Sequence, residues 1–155
     1  MVRLFLAGLA LAQGAPPAQV TASVRRIFGP AADVRLLPVG SDTVLRVARG
    51  DSLLGFAVVR NVRGKDQPIT LLVAIDTLDR LRDVDILAYR EPYGGEVAYE
   101  AWRRQFRGKS AADRLQVGRD IRSISGATVS VHAVTAGVRR VLADLTAWHD
   151  TGVIK

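Results

Sequence analysis

The apolar positions of the chain change from a helical period to a strand-like period and back again. In the segment 20–28, apolar side chains recur at Val20, Val24, Ile27 and Phe28, which is the spacing of one face of a short amphipathic helix. The Gly-Pro pair that follows favours the end of this helix. The sequence therefore predicts a first helix over 20–28.

Five strand-like runs follow the predicted helix, and short turn sequences separate them. The runs are 34–37, 43–47, 53–59, 69–75 and 84–89, with turn residues at 40–42, 50–52 and 61–66. Short strands joined by short turns favour an antiparallel meander over crossover connections. The stretch 71–75 is apolar without a break, so we expect at least one strand to be covered on both faces.

Two helical patterns come after the strands, at 97–106 and 129–148. The second has one clean apolar face, formed by Val131, Val134, Val138, Val141, Leu142 and Leu145. Strands followed by segregated helices predict an α+β fold class, an antiparallel β-meander sheet packed by helices, including a long C-terminal helix. The length of 155 residues favours a single domain, here 13–155.

The first twelve residues have the layout of a secretory signal peptide. Arg3 provides the positive start, an apolar run covers 4–12, and the small residues Ala10 and Ala12 form a cleavage site. The run is far shorter than the roughly 20 residues that span a bilayer. We therefore predict cleavage after Ala12 and an extracytoplasmic protein, in the periplasm or at the outer face of the membrane. An uncleaved N-terminal anchor and a buried N-terminal helix are the alternatives.

Composition removes several classes of chemistry. The chain has no cysteine, which excludes disulfides, thiolate catalysis, iron–sulfur centres and cysteine zinc sites. The two histidines, His132 and His149, lie far apart in the sequence and lack the partners of a metal site or a catalytic triad. Neither a GxGxxG nor a Walker sequence is present. We therefore predict no metal and no catalytic residue of these kinds.

The chain carries a formal net charge of +7, which would suit an anionic partner. Its basic residues are nevertheless spread along the whole sequence and interleaved with Asp and Glu. Aromatic residues, which stack on bases in nucleic-acid sites, make up only 6% of the chain. The prediction is a solvated basic surface and no nucleic-acid partner.

One short segment combines features of a phosphate site. Ser125, Gly126 and Ala127 are small enough for the backbone to approach a ligand closely, and the predicted C-terminal helix begins just after them. The start of a helix presents free N–H groups and a partial positive charge. Thr128 stands where an N-cap hydroxyl is expected. A plain helix cap with a turn and an anion site are both consistent with these residues.

The segment Ser125-Gly126-Ala127-Thr128, followed by Val129 and Ser130, resembles the flavin-acceptor motif of the covalent FMN-binding domain of bacterial electron-transport proteins. Members include the FMN-carrying subunits of the Rnf-type and sodium-pumping NADH:quinone reductase complexes. The similarity covers roughly 53–145. Within this range, the loop 90–96 upstream of the motif and the helix 131–138 downstream of it also resemble the family. One departure is Arg122, because many members have an acidic residue there, whereas this chain has Asp120 two positions earlier.

The resemblance implies how this chain would bind its cofactor. The FMN phosphate would be esterified to the Thr128 hydroxyl by a dedicated flavin transferase, at the start of the long helix. The cofactor-binding residues would be Thr128 with Ser125, Gly126, Ala127, Val129 and Ser130, and a loop near the isoalloxazine made of Glu91, Pro92, Tyr93, Gly94 and Gly95. Tyr93 would offer an aromatic face, and the glycine backbone would lie close to the ring.

The expected function is that of an extracytoplasmic electron carrier, which relays electrons between a membrane donor and a downstream acceptor. It would be a substrate of the flavin transferase rather than an enzyme, with membrane electron-transfer proteins as partners. A flavin-bearing sensory or accessory module of a membrane redox complex is one alternative. An exported binding module without a cofactor, in which Thr128 only caps a helix, is the other.

Overall fold

A five-stranded antiparallel sheet lies at the centre of the computed structural model, which describes residues 15–155. The elements are α1 (Ala18–Phe28), β1 (Asp33–Leu37), β2 (Thr43–Arg49), β3 (Ser52–Arg63), β4 (Pro68–Asp76), β5 (Leu81–Ala88), α2 (Glu100–Arg103) and α3 (Thr128–Asp150). The predicted signal peptide at 1–12 lies outside the described residues. Helix α1, the strands and α3 match the predicted elements closely.

The strands follow one another in the order β1-β2-β3-β4-β5, and each pairs antiparallel with the next. The predicted β-meander and the α+β class are thus confirmed. Strand β3 extends to Arg63, although the sequence suggested that a turn begins at residue 61. The reason is cross-strand pairing, since Asn61 lies opposite Thr70 and accepts a 2.6 Å hydrogen bond from its hydroxyl.

The sheet is covered on both faces, so it separates two apolar clusters. Helix α3 packs on one face, against side chains that include Val58, Leu71 and Val73. Helix α1 packs on the other face through Val20, Val24 and Phe28, which join Leu72 and Ala74. Strand β4 therefore contributes alternate side chains to the two clusters, and the prediction of a doubly covered strand is confirmed.

The predicted helix over 97–106 is wrong, because the structure breaks it into three short pieces. A 3₁₀ turn at Gly95–Ala98 is followed by α2 and by a second 3₁₀ turn at Arg104–Phe106. Tyr99 has extended backbone angles, φ −68° and ψ 132°, and these interrupt the helical path. The carbonyl oxygen of Ala98 instead accepts a 2.8 Å hydrogen bond from the buried guanidinium of Arg103.

Helix α3 runs along the sheet for 23 residues and packs most closely at Gly137. A Cβ atom at this position would lie 2.5 Å from Cγ1 of Val62 and 3.1 Å from Cδ1 of Leu71. The missing side chain therefore lets the helix approach strands β3 and β4. In the described part of the chain, 15–155, we find no helix with the length and apolar character needed to cross a membrane.

Candidate functional site

A cavity of about 410 Å³ lies at one end of the sheet, where three segments of the chain meet. The segments are the β3–β4 turn, the loop after β5 and the first turn of α3. The lining residues are Lys65, Asp66, Glu91, Pro92, Tyr93, Gly94, Gly126, Ala127, Thr128, Val129 and Ser130. Every residue predicted for the site except Ser125 and Gly95 lines this cavity.

The strand register explains why these distant segments come together. Thr70, near the start of β4, pairs with Ala88, the last residue of β5. The turn before β4 and the loop after β5 therefore lie at the same end of the sheet, because the two strands are antiparallel. Helix α3 begins at that end too, and its first turn closes the cavity.

The first turn of α3 carries free hydrogen-bond donors into the cavity wall. The helix begins at Thr128, its N-cap is Ala127, and no side chain caps it. The first intrahelical bond is donated by Val131 to the Ala127 carbonyl at 2.9 Å, so the N–H groups of Thr128, Val129 and Ser130 have no acceptor within the helix. The expected N-cap role of Thr128 is therefore wrong. Its hydroxyl stands on an exposed residue and is not used to begin the helix.

Glu91 holds the β3–β4 turn in place with its carboxylate. Its Oε1 atom accepts hydrogen bonds from the backbone N–H of Asp66 at 2.7 Å and of Gln67 at 3.0 Å. These bonds from Gln67 and Asp66, with the nearby Lys65 charge, lower the pKa of Glu91 below its usual value. The side chain is thus an ionised anchor that joins two walls of the cavity.

A second anchor joins the loop after β5 to α3. The hydroxyl of Tyr89 contacts the carbonyl oxygen of Tyr93 in a hydrogen bond and lies 2.6 Å from the Oγ atom of Ser130. Ser130 is 6% exposed, so the α3 end of this contact is buried. Gly94 packs directly over the pair. Ser130 and Gly94 were predicted from the sequence to belong to the site, whereas Tyr89 was missed.

The rim of the cavity is apolar and open to solvent. Tyr93 is 82% exposed and Val129 is 53% exposed, so both present apolar surface beside the cavity. A neighbouring groove continues the rim and is lined by Gly95 and Tyr99, among others. Ser125 lies in the exposed turn that leads into α3 and lines neither the cavity nor this groove.

Lys65 and Asp66, both in the β3–β4 turn, were also missed from the sequence. The signal that would have found them is the predicted meander itself. In three consecutive antiparallel strands, the turn before the second strand and the end of the third lie at the same end of the sheet. Applying that rule to the predicted strands 69–75 and 84–89 brings the turn 61–66 next to Glu91.

The segment before the motif is fixed by two side chains from the α2 region. Trp102 donates from Nε1 to the Arg122 carbonyl at 2.7 Å, and Gln105 accepts from the Arg122 N–H at 2.8 Å. Asp120 accepts from the N–H groups of Leu115 and Gln116 at 2.9 and 2.8 Å. Asp120 therefore shapes the preceding loop and does not line the cavity.

The cavity has the size and polarity that FMN needs. Its volume lies within the range of about 300–1,000 Å³ that is typical of small-molecule sites. Free N–H groups and the positive end of a helix suit a phosphate, and the apolar rim suits an aromatic ring system. Within residues 15–155, no cluster of three or more His, Asp or Glu side chains is suited to a metal ion.

The sequence profile of the FMN-binding domain matches residues 64–143, just over half of the chain, and these residues include the whole cavity lining. The chain belongs to the FMN-binding domain family. It is also 29% identical over 106 residues to one of the subunits of the proton-translocating ferredoxin:NAD⁺ oxidoreductase complex of Clostridium ljungdahlii. The match covers 63% of this chain and 57% of that relative, so the chain spans little more than half the length of the protein it matches.

Proposed function

We propose that this FMN-binding domain is an extracytoplasmic electron carrier whose FMN is attached through a phosphoester to Thr128. The observation that carries the proposal is the position of Thr128. Its hydroxyl belongs to an exposed residue at the start of α3, in the wall of a cavity of suitable size, and it caps no helix. A side chain in that place is free for modification.

The first turn of α3 suits the phosphodiester that such a linkage creates. The free N–H groups of Thr128, Val129 and Ser130 can donate to phosphate oxygens, and the helix dipole favours negative charge by about 0.3–1 kcal/mol. Lys65, in the β3–β4 turn, also lines the cavity and adds a positive charge. Binding of the phosphate is thus supported from two segments of the chain.

Attachment requires a second protein. No histidine lines the cavity, and the Glu91 carboxylate is already bonded to two backbone N–H groups. An unactivated hydroxyl needs a base and an electrophilic phosphorus, which a flavin transferase supplies. Thr128 Oγ1 forms a bond to the FMN phosphorus of a flavin nucleotide as its phosphoanhydride bond breaks. The nucleotide monophosphate leaves and the hydroxyl proton passes to the transferase.

Bound FMN supplies transfer of one or two electrons. The chain's own residues bind and orient it: the N–H groups of α3 hold the phosphate, and Pro92, Tyr93 and Val129 offer apolar contacts. The open rim supports a carrier role, because an exposed site lets a partner approach the cofactor. The name of the Clostridium ljungdahlii relative supports membrane electron-transfer proteins as the partners.

Intact-mass measurement tests the attachment. The protein is produced together with a flavin transferase, and we expect the wild type to gain the mass of one FMN less one water. Thr128→Ala should lose this addition, whereas Ser123→Ala, at an exposed residue just before the motif that does not line the cavity, should keep it. Covalent FMN on Thr128→Ala would place the linkage elsewhere and defeat the proposal.

Export is tested separately. The sequence of the first twelve residues supports removal of a signal peptide after Ala12. N-terminal sequencing of protein isolated from its native cell should therefore begin at Gln13. An intact Met1 on protein recovered from the cytoplasm would contradict the proposed location.

A further inference from the structure

We infer that Tyr89 is a positioning residue for the flavin site. Its hydroxyl ties the loop after β5 to the first turn of α3, and so fixes the loop residues 91–95, which would lie near the flavin ring, relative to Thr128. The inference rests on the proposed function for the identity of the acceptor. The tie itself is a property of the chain without its cofactor.

The direction of the hydrogen bonds follows from the groups involved. A carbonyl oxygen only accepts, so the single proton of the Tyr89 hydroxyl is donated to the carbonyl of Tyr93. The contact of 2.6 Å between the Tyr89 hydroxyl and Ser130 Oγ must then be donated by Ser130. Tyr89 is thus the middle of a two-bond chain that runs from α3 to the loop.

Gly94 shows how tightly the loop fits over this chain. A Cβ atom at residue 94 would lie 2.5 Å from Ser130 Oγ and 2.6 Å from the Tyr89 hydroxyl. The residue also has φ +87°, a conformation that favours glycine. The loop backbone is therefore pressed onto the Tyr89–Ser130 pair, and both this contact and the positive φ favour glycine.

The Tyr89–Ser130 pair links the first turn of α3 to the loop after β5, and these two parts of the site must stay at a fixed distance from each other. Ser130 lies in the same helical turn as Thr128, the proposed acceptor, and Tyr93 and Gly94 belong to the loop after β5 that lines the same cavity. Glu91 ties the same loop to the β3–β4 turn, but it makes no such bond to α3. Within the described residues, Tyr89 provides the side-chain hydrogen bond between the loop and the helix.

The test begins with Tyr89→Phe, which removes the hydroxyl and keeps the ring. In protein without FMN, we expect hydrogen exchange of the Val97 and Tyr99 amides, which donate to the carbonyls of Gly94 and Glu96, to quicken about tenfold, the factor given by loss of one ordinary hydrogen bond. Ser130→Ala should have a similar effect, and the double variant should add little, because both changes break the same chain. Tyr99→Phe is the matched control, since Tyr99 is 66% exposed, does not line the cavity, and its hydroxyl makes no hydrogen bond to the described residues 15–155.

The functional readout is the transferase reaction with each variant as substrate. We expect Tyr89→Phe and Ser130→Ala to lower kcat/KM about tenfold and to shift the flavin potential and visible spectrum of whatever protein is loaded. Tyr99→Phe should match the wild type in kcat/KM. If Tyr89→Phe fails to fold by circular dichroism, Ser130→Ala carries the test.

Two results would overturn the inference. Unchanged exchange of the Val97 and Tyr99 amides would show that the hydroxyl does not hold the loop. Quicker exchange with wild-type kcat/KM and potential would show a purely structural tie. A wild type that is never labelled at Thr128 instead defeats the proposed function and this positioning role together.

Discussion

Replacing Thr128 by alanine should leave the stability of the unloaded domain almost unchanged. The Thr128 side chain is exposed, and it makes no capping hydrogen bond. Loss of a true N-cap hydroxyl costs about 1 kcal/mol. For Thr128 the change in the free energy of unfolding comes from helix propensity, which favours alanine over threonine by at most about 0.5 kcal/mol. We therefore expect the free energy of unfolding to change by no more than about 0.5 kcal/mol in either direction.

Urea unfolding of unloaded protein, followed by tryptophan fluorescence, measures this change. With a slope of about 2 kcal/mol per molar urea, the transition midpoint should move by less than about 0.25 M. Ser130→Ala is the control in the same turn. Ser130 is buried and bonded to Tyr89, so its loss should cost about 1–3 kcal/mol. A midpoint for Thr128→Ala lower by about 0.5 M or more would mean that the hydroxyl supports the helix, and the reasoning would be refuted.

Three further predictions concern the framework of the site. Glu91→Gln should lower the melting temperature at neutral pH. Because the pKa of Glu91 is lowered in the folded state, its ionised carboxylate stabilises the fold above the usual pKa of 4.5, and this effect is lost as the pH falls through the folded-state pKa. A difference in melting temperature between variant and wild type that persists at about pH 2 would contradict this. Arg103→Ala should cost about 1–3 kcal/mol in urea unfolding, since the buried guanidinium donates to the carbonyl oxygens of Ala98 and Val84, which would lose their partner. The exposed Arg104→Ala should cost less than about 0.5 kcal/mol, and equal effects would show that burial of the guanidinium is unimportant. Gly137→Val should lower the melting temperature, because its side chain would overlap Val62, and an unchanged or higher value would show that α3 can move away from the sheet at no cost.

The main elements were predictable because single periodicities dominate them. The alternation along the strands and the apolar face of α3 extend over many residues, so one atypical position does not obscure the pattern. The break at Tyr99 was not predictable in this way. It depends on Arg103, whose guanidinium satisfies the Ala98 carbonyl from a distance of five residues, and nothing in the apolar pattern of 97–106 records that bond.

The site was predictable to the extent that it lies in contiguous motifs. The segment 125–130 and the loop 91–95 each consist of consecutive residues, so each could be recognised as one motif in the sequence. Lys65, Asp66 and Tyr89 belong to the site through strand register, and their roles emerge only when β3, β4 and β5 are aligned. The exact first residue of α3 was missed as well, because a threonine at the N-cap and one at the next position are alike in sequence and differ only in backbone angles.

The pairing of β3 with β4 also bears on what part of the chain can exist alone. Residues 64–143, which match the family, begin after β3 and end inside α3. A fragment with these limits loses the nine residue pairs between β3 and β4, and it leaves Leu72 and Ala74 bare where α1 covered them. Such a fragment would present an unpaired strand edge and an apolar face, a combination that leads to aggregation. The region that matches the family therefore shares its sheet and its core with β3 and α1, and its limits in a sequence comparison are not the limits of an autonomous unit.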